Sequence, residues 1–556
     1  MRLGTSLFAV LIVSLLMICA DRTAAAAGDS VKIESTAVAE AAKIIGLDFT
    51  ARERDSMLTD LADNLASYRT MRQVSLKNSV LPALVFVPIP PGAVFDKVQR
   101  PVQFGPPPLV KRPADLSELA FLSVRELSEL IRTRQVTSLE LTRLALERLK
   151  KYDTVLHCVI TLTEDHALQQ AARADSEITA GTYLGPLHGI PYGAKDLLAV
   201  KGYPTTWGTA PYKDQMFDQD AEVIRRLSAA GAVLVAKLSL GELAWGDVWY
   251  KDTTRNPWNP KEGSSGSSAG PASAVAAGLV PFAIGSETWG SIVSPSTRCG
   301  TTGLRPTFGR VSRTGAMALS WSMDKLGPIC RSVEDCAIVF NAIYGRDEQD
   351  PTTVDLPFNY EPDADLARLR IGYLKADFDR DTAYQKQNQF ALTRLRELGA
   401  DLKEIKLPDI PVYPQAIILS AEAAAAFDEL TRSNRDSLMT RQEKNAWPNV
   451  FRSSRFIPAV EYIQANRLRS QMIAAMADLM DSVDVYVSPT FEGDNLLLTN
   501  LTGHPCVVLP NGFDSTGAPV SLTFIGRLYD EGTLLAVAWK YQQNTDFYRQ
   551  HPPLFR

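Results

Sequence analysis

Apolar positions along this chain fall at helical spacing in some stretches and in short continuous runs in others, and one proline-rich interruption divides them. From Ser35 to about Gln73, the spacing of Ile44, Ile45, Leu47, Met57, Leu58, Leu61 and Leu65 predicts two amphipathic helices. Prolines then accumulate between Leu81 and Pro113, in VFVPIPPGAVF and FGPPPLVKRPAD. Proline fixes φ and lacks an N–H, so this stretch predicts an extended connector. The main domain is expected to begin near residue 115.

Past the connector, Ser123 to Lys151 carries two helical patterns, with Thr137 as the cap between them and Glu140 completing a capping box. Val155 to Leu162 reads as a strand and Glu164 to Ala180 as a helix. The alternation continues with helix Ala221 to Ala230, strand Val233 to Ala236, small-residue helix Pro271 to Ala277 and strand Leu279 to Ile284. It resumes with strand Leu369 to Tyr373, a helix through Leu398 and strand Asp401 to Ile405. A mostly helical region follows from 415 to 481, then strands Val483 to Ser488 and Cys506 to Leu509. Strands and helices taking turns predict the α/β class, a large sheet covered by helices on both faces.

The chain has 556 residues, 45% hydrophobic and 22% charged, which is ordinary globular composition. A formal net charge of -5 without long like-charge runs gives no electrostatic reason for a nucleic-acid partner. Arg2, the apolar run Leu7 to Ala20 and the small residues Ala24 to Ala27 read as a secretory signal, cleaved near Ala26 or Ala27. The run is short of the roughly 20 residues that span a bilayer, so no stable membrane insertion of the mature chain is expected. An exported protein, periplasmic or extracellular, is the expectation. It divides into the signal 1–27, a helical extension with the connector over 28–114, and the main domain 115–556. Without Cys19, Cys158, Cys299, Cys330, Cys336 and Cys506 are too few and too scattered for a disulfide framework, and none has metal-ligand spacing. Buried structural thiols are expected.

Two Gly/Ser-rich turns lie within Gly263–Gly300, one on either side of an apolar segment. Either alone would suit a linker. The second, Ser286 to Ile292, follows an apolar strand, and a chain leaving a buried strand through glycine can aim several N–H groups at one spot, as an oxyanion hole requires. Upstream, Gly189-Ile-Pro-Tyr-Gly-Ala-Lys195-Asp196 is a strand-like approach ending in a lysine whose burial would penalise its charged form. The bland readings are a solvated lysine and a flexible loop.

In order along the chain stand GIPYGAKD at 189–196, NPWNP at 256–260, GSSAGPASAVAAGLVPFAIGSET at 266–288, GSI at 290–292, CGTTGLRPTFGRVSRTG at 299–315 and SMDKLGPICRSVEDCA at 322–337. LTGHPCVVLPNGF at 501–513 and FIGRLYDEGTLL at 524–535 follow. Over roughly residues 115–545 the chain resembles the amidase signature family of serine hydrolases. That resemblance implies the family's mixed-sheet α/β fold. It implies hydrolysis of a carboxylic amide through an acyl-serine, with no metal or organic cofactor and a small-molecule or peptide amide as substrate. It also implies the site: Ser291 as nucleophile, Ser267 as a bridging serine after a cis peptide bond, and Lys195 as base. The oxyanion donors are the backbone N–H groups of Thr288, Trp289, Gly290 and Ser291. Among Ser264, Ser265, Ser267 and Ser268, the family pattern selects Ser267. For Lys195 to act as base near pH 7, its pKa must lie well below the ordinary value of about 10.4.

The chain departs from the family pattern where Trp289 replaces the first of two glycines, where Val293 replaces arginine, and where Arg298 replaces an aromatic residue before Cys299. Arg298 either takes over the missing arginine's structural role or is a surface residue. Competing readings are an esterase elbow at Gly266-Ser-Ser268-Ala-Gly270 with Ser268 as nucleophile, and a catalytically idle amidase-like binding protein. The elbow lacks its buried strand, since KDTTRNPWNPKE at 251–262 is polar and proline-broken. A phosphate loop lacks G-K-[ST], and an exported chain would not meet aminoacyl-tRNA as an amidotransferase component does. Trp245, Trp249, Tyr250, Trp258 and Trp289 are candidates to line an apolar pocket, and core packing is the alternative preferred for Trp258.

Overall fold

Two parallel strands that end at the same edge of a sheet organise the molecule around its site. The computed structural model describes residues 32–556; the signal 1–27 and Cys19 lie outside them. The main sheet has eleven strands. Its N-terminal part holds β1 (Val159–Leu162), β2 (Pro191–Lys195) and β3 (Val233–Leu238). A separate hairpin of β4 (Arg255–Asn256) and β5 (Asn259–Gly263) comes next. The sheet continues with β6 (Phe282–Glu287), β7 (Thr302–Arg305), β8 (Lys325–Cys330), β9 (Ile371–Tyr373), β10 (Leu402–Glu404), β11 (Val485–Pro489), β12 (Cys506–Phe513) and β13 (Pro519–Gly526). In space the order is β1-β3-β2-β6-β8-β7-β12-β13-β11-β9-β10. β2 runs parallel to β3 and β6, whereas β6 and β8 are antiparallel, so the sheet is mixed.

Alternation along the strands feeds two apolar cores, one on each face. Val233 and Val235 pack with Ala272 and Val275 of the helix Ala269–Ala276, while Leu234, Phe282 and Ile284 belong to the other core. β2 is buried at every position, and with Tyr192 paired to Phe282 and Ala194 to Ile284 its terminal Lys195 arrives beside the end of β6. That register decides where the lysine goes.

Most expected elements appear with shifted ends. The helix Ser138–Leu156, capped by the Thr137–Glu140 box, runs past Val155, and His157 in the left-handed region ends it, so β1 starts only at Val159. β6 begins at Phe282 rather than Leu279, because a continuous apolar run does not mark its own strand boundary. β7, β8 and β13 were not legible as strands. β8 contains Gly327 and Pro328, which weaken a strand signal, yet it sits centrally with Pro328 opposite Ile284. A Cβ at position 327 would lie 2.0 Å from the Leu304 carbonyl oxygen, so close packing against β7 takes glycine there.

Residues 32–76 form one compact unit, containing the helices Ser35–Ile45 and Ala51–Met71, and Lys77–Arg556 form another. Residues 77–113 carry no regular secondary structure, as their prolines predict, and they are held along the second unit. Gln99 reaches the Phe358 carbonyl at 3.0 Å, the Gln103 N–H donates to the Tyr360 carbonyl at 2.9 Å, and Arg112 pairs with Glu140 at 2.8 Å. Among the described residues no helix is long and apolar enough to cross a membrane, and Cys158, Cys299, Cys330, Cys336 and Cys506 are free and buried.

Candidate active site

Lys195 enters a polar pocket whose walls are hydroxyls rather than carboxylates. Its Nζ lies 2.8 Å from Ser267 Oγ, 2.9 Å from Ser286 Oγ, 3.0 Å from Ser268 Oγ and 3.4 Å from the Ser286 carbonyl oxygen. The neighbouring Asp196 takes no part in this pocket, because it pairs at 2.7 Å with the equally buried Lys237 and accepts from Thr206. Burial drives the Lys195 pKa well below its ordinary value, and the more distant charges of Asp324 and Glu287 recover part of that shift.

The first Gly/Ser turn brings Ser267 and Ser268 to this amine. The Gly266–Ser267 peptide bond is cis. Only glycine fits at 266, since a Cβ there would stand 1.9 Å from the Gly246 carbonyl oxygen. Ser268 is fully buried; its hydroxyl donates to the Ser286 carbonyl at 3.0 Å and accepts from the Ser286 N–H at 3.1 Å. The strand before this turn, β5, is mostly exposed and pairs only with β4, so the elbow geometry is missing. Backbone contact joins the two turns: Ser268 N–H donates to the Ser291 carbonyl at 3.1 Å.

The second turn is held open by a buried ion pair. Glu287, at the end of β6, accepts from Arg305 Nη1 at 2.7 Å and Asn500 Nδ2 at 2.8 Å through one oxygen. Its other oxygen accepts the N–H groups of Ile292 and Val293 at 2.8 and 2.9 Å. Burial alone would raise the Glu287 pKa, but Arg305 and these hydrogen bonds outweigh it and hold the carboxyl at about 2. A fixed carboxylate at the start of the helix Val293–Cys299 thus absorbs the N–H groups just past Ser291. The N–H groups from Thr288 to Ser291 make no hydrogen bond to other described residues. Thr288 is fixed by its hydroxyl, which donates to Asp324 Oδ1 at 2.5 Å, and Gly290 takes φ +82°. Ser291 is 9% exposed, against 1% for Ser267.

Of the five aromatic candidates, Trp289 alone lies in this turn, its ring 5.8 Å from that of Tyr413. Trp258 donates to the Cys299 carbonyl and packs on Phe513, Trp249 donates to the His157 carbonyl, Tyr250 packs on Trp249, and Trp245 packs on Trp447. Arg298 forms an exposed pair with Glu262 at 3.8 Å, a surface role, and the arginine that meets Glu287 is Arg305. Sequence reasoning did not single out Ser286, Glu287, Asp324 or Arg305. An acid ending a buried strand, as Glu287 does, was the available signal. Among the described residues no three His, Cys, Asp or Glu side chains are grouped to hold a metal ion.

The Amidase family pattern matches residues 140–498, well over half of the chain. The chain belongs to the amidase signature family. It is accordingly an amide-hydrolysing enzyme. Within that family it is similar to the A-type component of the glutamyl-tRNA(Gln) amidotransferase of Moorella thermoacetica, 34% identical over 489 residues, 79% of this chain and 99% of that relative. The component of the same name from Methylococcus capsulatus is 35% identical over 480 residues, covering 77% and 98%. Among solved structures, the native peptide amidase from Stenotrophomonas maltophilia has a TM-score of 0.69 at 31% identity, covering 79% of this chain and 99% of that one. The amidase signature fold therefore extends over about four-fifths of the chain.

Proposed function

We propose that this amidase acts alone on a carboxylic amide through an acyl-enzyme on Ser291, with Ser267 and Lys195 as a proton relay, and that it works outside the cytosol. The observation that carries the proposal is a fully buried lysine surrounded by three hydroxyls with no carboxylate in contact. A neutral amine has two N–H donors and one lone pair. Ser268 spends its proton on the Ser286 carbonyl, so toward Lys195 it accepts. With the second N–H on Ser286 Oγ, the lone pair is left for the Ser267 hydroxyl proton.

In the reaction, Lys195 takes the proton of Ser267 as Ser267 takes that of Ser291, and Ser291 Oγ attacks the amide carbonyl. Negative charge develops on the carbonyl oxygen, and the N–H groups of Thr288 to Ser291 are the donors proposed to stabilise it. Return of the proton through Ser267 to the departing nitrogen releases ammonia or an amine. Water then repeats the relay against the acyl-serine and frees the carboxylate. An ester enters the same acyl-enzyme, so ester hydrolysis is an expected side activity.

The test is a screen of the purified protein against an amide library, with Ser291→Ala and Lys195→Ala as controls. Each substitution is expected to lower kcat/KM by roughly 10⁴-fold or more. Unchanged turnover in Ser291→Ala would refute the nucleophile. Because protonated Lys195 cannot accept a proton, kcat/KM should fall as pH drops through the lysine's pKa, which burial holds well below the ordinary lysine value.

A second reading, an ammonia-supplying component of an amidotransferase, draws support from the names of the curated relatives. It predicts ammonia release from glutamine that depends on partner chains, whereas the proposal predicts partner-free turnover. Support for export comes from Arg2, Leu7 to Ala20 and Ala24 to Ala27. An N-terminus beginning just after Ala26 or Ala27 in protein recovered outside the cytosol is the expected result; an intact Met1 would count against it.

A further inference from the structure

Beside the hydroxyl cluster lies a cavity of about 270 Å³, with Ser286 and Thr288 in its lining. Leu197, Met317, Trp321 and Leu326 give it an apolar lining. A cavity of roughly 150 Å³ lined by apolar side chains accommodates benzene, so this one has room for an aryl group with a short extension. Its charged lining residues are already paired. Arg313 donates to the Trp321 carbonyl at 2.6 Å, to Asp350 at 3.3 Å and to Thr352 at 2.9 Å. Asp324 accepts from Thr288 and from the N–H groups of Leu319 and Ser320. A charged substituent would find no free counter-charge, whereas a neutral apolar one would replace only water.

Part of the wall comes from the connector. Asn78, Ser79 and Leu81 line the cavity although they lie far upstream of the family match, which begins at residue 140. Asn78 clamps the opposite wall with a reciprocal pair of hydrogen bonds: its Nδ2 donates to the Ala318 carbonyl at 2.8 Å, and its Oδ1 accepts the Ala318 N–H at 2.8 Å. Ala318 belongs to the loop that also supplies Met317 and Trp321. Farther along, the Phe86 ring packs edge-on against Phe308 at 5.0 Å, under the Arg469 guanidinium at 3.5 Å. The strap is thus held on both sides of Leu81. About a fifth of the chain has no counterpart in the curated relatives, which are themselves matched almost end to end.

We infer that Asn78–Leu81 is a specificity strap that closes the amide pocket, limiting its substrates to neutral amides with a group of about aryl size. The inference rests on the proposed function for the reaction itself, but the wall is a separate matter and is tested separately. Two variants of the full chain act in opposite directions. Asn78→Ala frees the strap and should raise the ratio of kcat/KM for 4-phenylbutyramide over benzamide at least fivefold. Leu81→Trp fills the cavity and should lower kcat/KM for benzamide relative to acetamide at least fivefold. Both ratios staying within twofold of the parent protein would overturn the strap.

The affinities of the Ser291→Ala protein for benzamide and 4-phenylbutyramide, measured calorimetrically with and without Asn78→Ala, separate this inference from the catalytic one. A ratio that shifts when Asn78 is removed supports the strap even if no amide is turned over, in which case the catalytic reading alone fails. An unchanged ratio overturns the strap whatever the turnover.

Discussion

In the turn from Ser264 to Ser268, each serine hydroxyl is hydrogen-bonded: Ser264 to the Ser265 carbonyl, Ser265 to Ser294, and Ser267 and Ser268 to Lys195. In the turn from Glu287 to Ser291 the reverse holds. Among the described residues the N–H groups of Thr288 to Ser291 and the Ser291 hydroxyl have no hydrogen-bond partner. Both turns contain glycine and end in serine, and what surrounds them differs sharply. Close approach to Gly246 and the lysine amine closes the first, whereas the Glu287–Arg305 pair braces the second from behind and leaves its inner face unoccupied. A saturated turn suits a proton relay, and an unsaturated one suits a place where new charge appears.

The difference is broken most severely at its brace. Glu287→Gln leaves Arg305 charged and fully buried without its counter-ion, and a loss of about 3–5 kcal/mol is expected in denaturant unfolding. Because Glu287 is held at about 2, the stability it supplies is complete above the ordinary carboxylate value of 4.5 and is lost as pH falls toward 2. The variant should lose that acid dependence as well. A smaller effect is expected from Thr288→Val, which leaves an Asp324 oxygen short of its hydroxyl donor and should cost about 1–3 kcal/mol. If Thr288 positions the oxyanion turn, kcat should also fall roughly tenfold with little change in KM; loss of stability alone would reduce the contact to packing. Least of all, Arg298→Ala removes an exposed pair with Glu262 and should stay within about 0.5 kcal/mol, with unchanged kcat.

The α/β alternation, the capping box at Thr137 and the extended character of 77–113 were legible because each rests on local spacing or on proline itself. β7 and β8 were not, since Gly303 lies under Ile292 and Ser296, Gly327 lies against the β7 backbone, and only the assembled fold reveals either approach. Lys195, Ser267 and Ser291 could be named through motif order, and the arrival of Lys195 beside the end of β6 is a consequence of strand register. Glu287, Asp324 and Arg305 remained silent because a buried charge announces itself only beside its partner. The connector is the sharpest case: proline content predicts that Leu81–Pro113 is extended, but it says nothing of where the chain is laid down. Asn78 became readable only opposite Ala318.

The relay from Lys195 through Ser267 to Ser291 is tested most directly by trapping its covalent intermediate. The protein is acid-quenched during turnover of a benzamide that deacylates slowly, and the digest is read by mass spectrometry. The account predicts a benzoyl group on the peptide bearing Ser291, absent from Ser291→Ala and strongly reduced in Lys195→Ala. A benzoyl group on Ser267 or Ser268, or one that persists in Ser291→Ala, would contradict it.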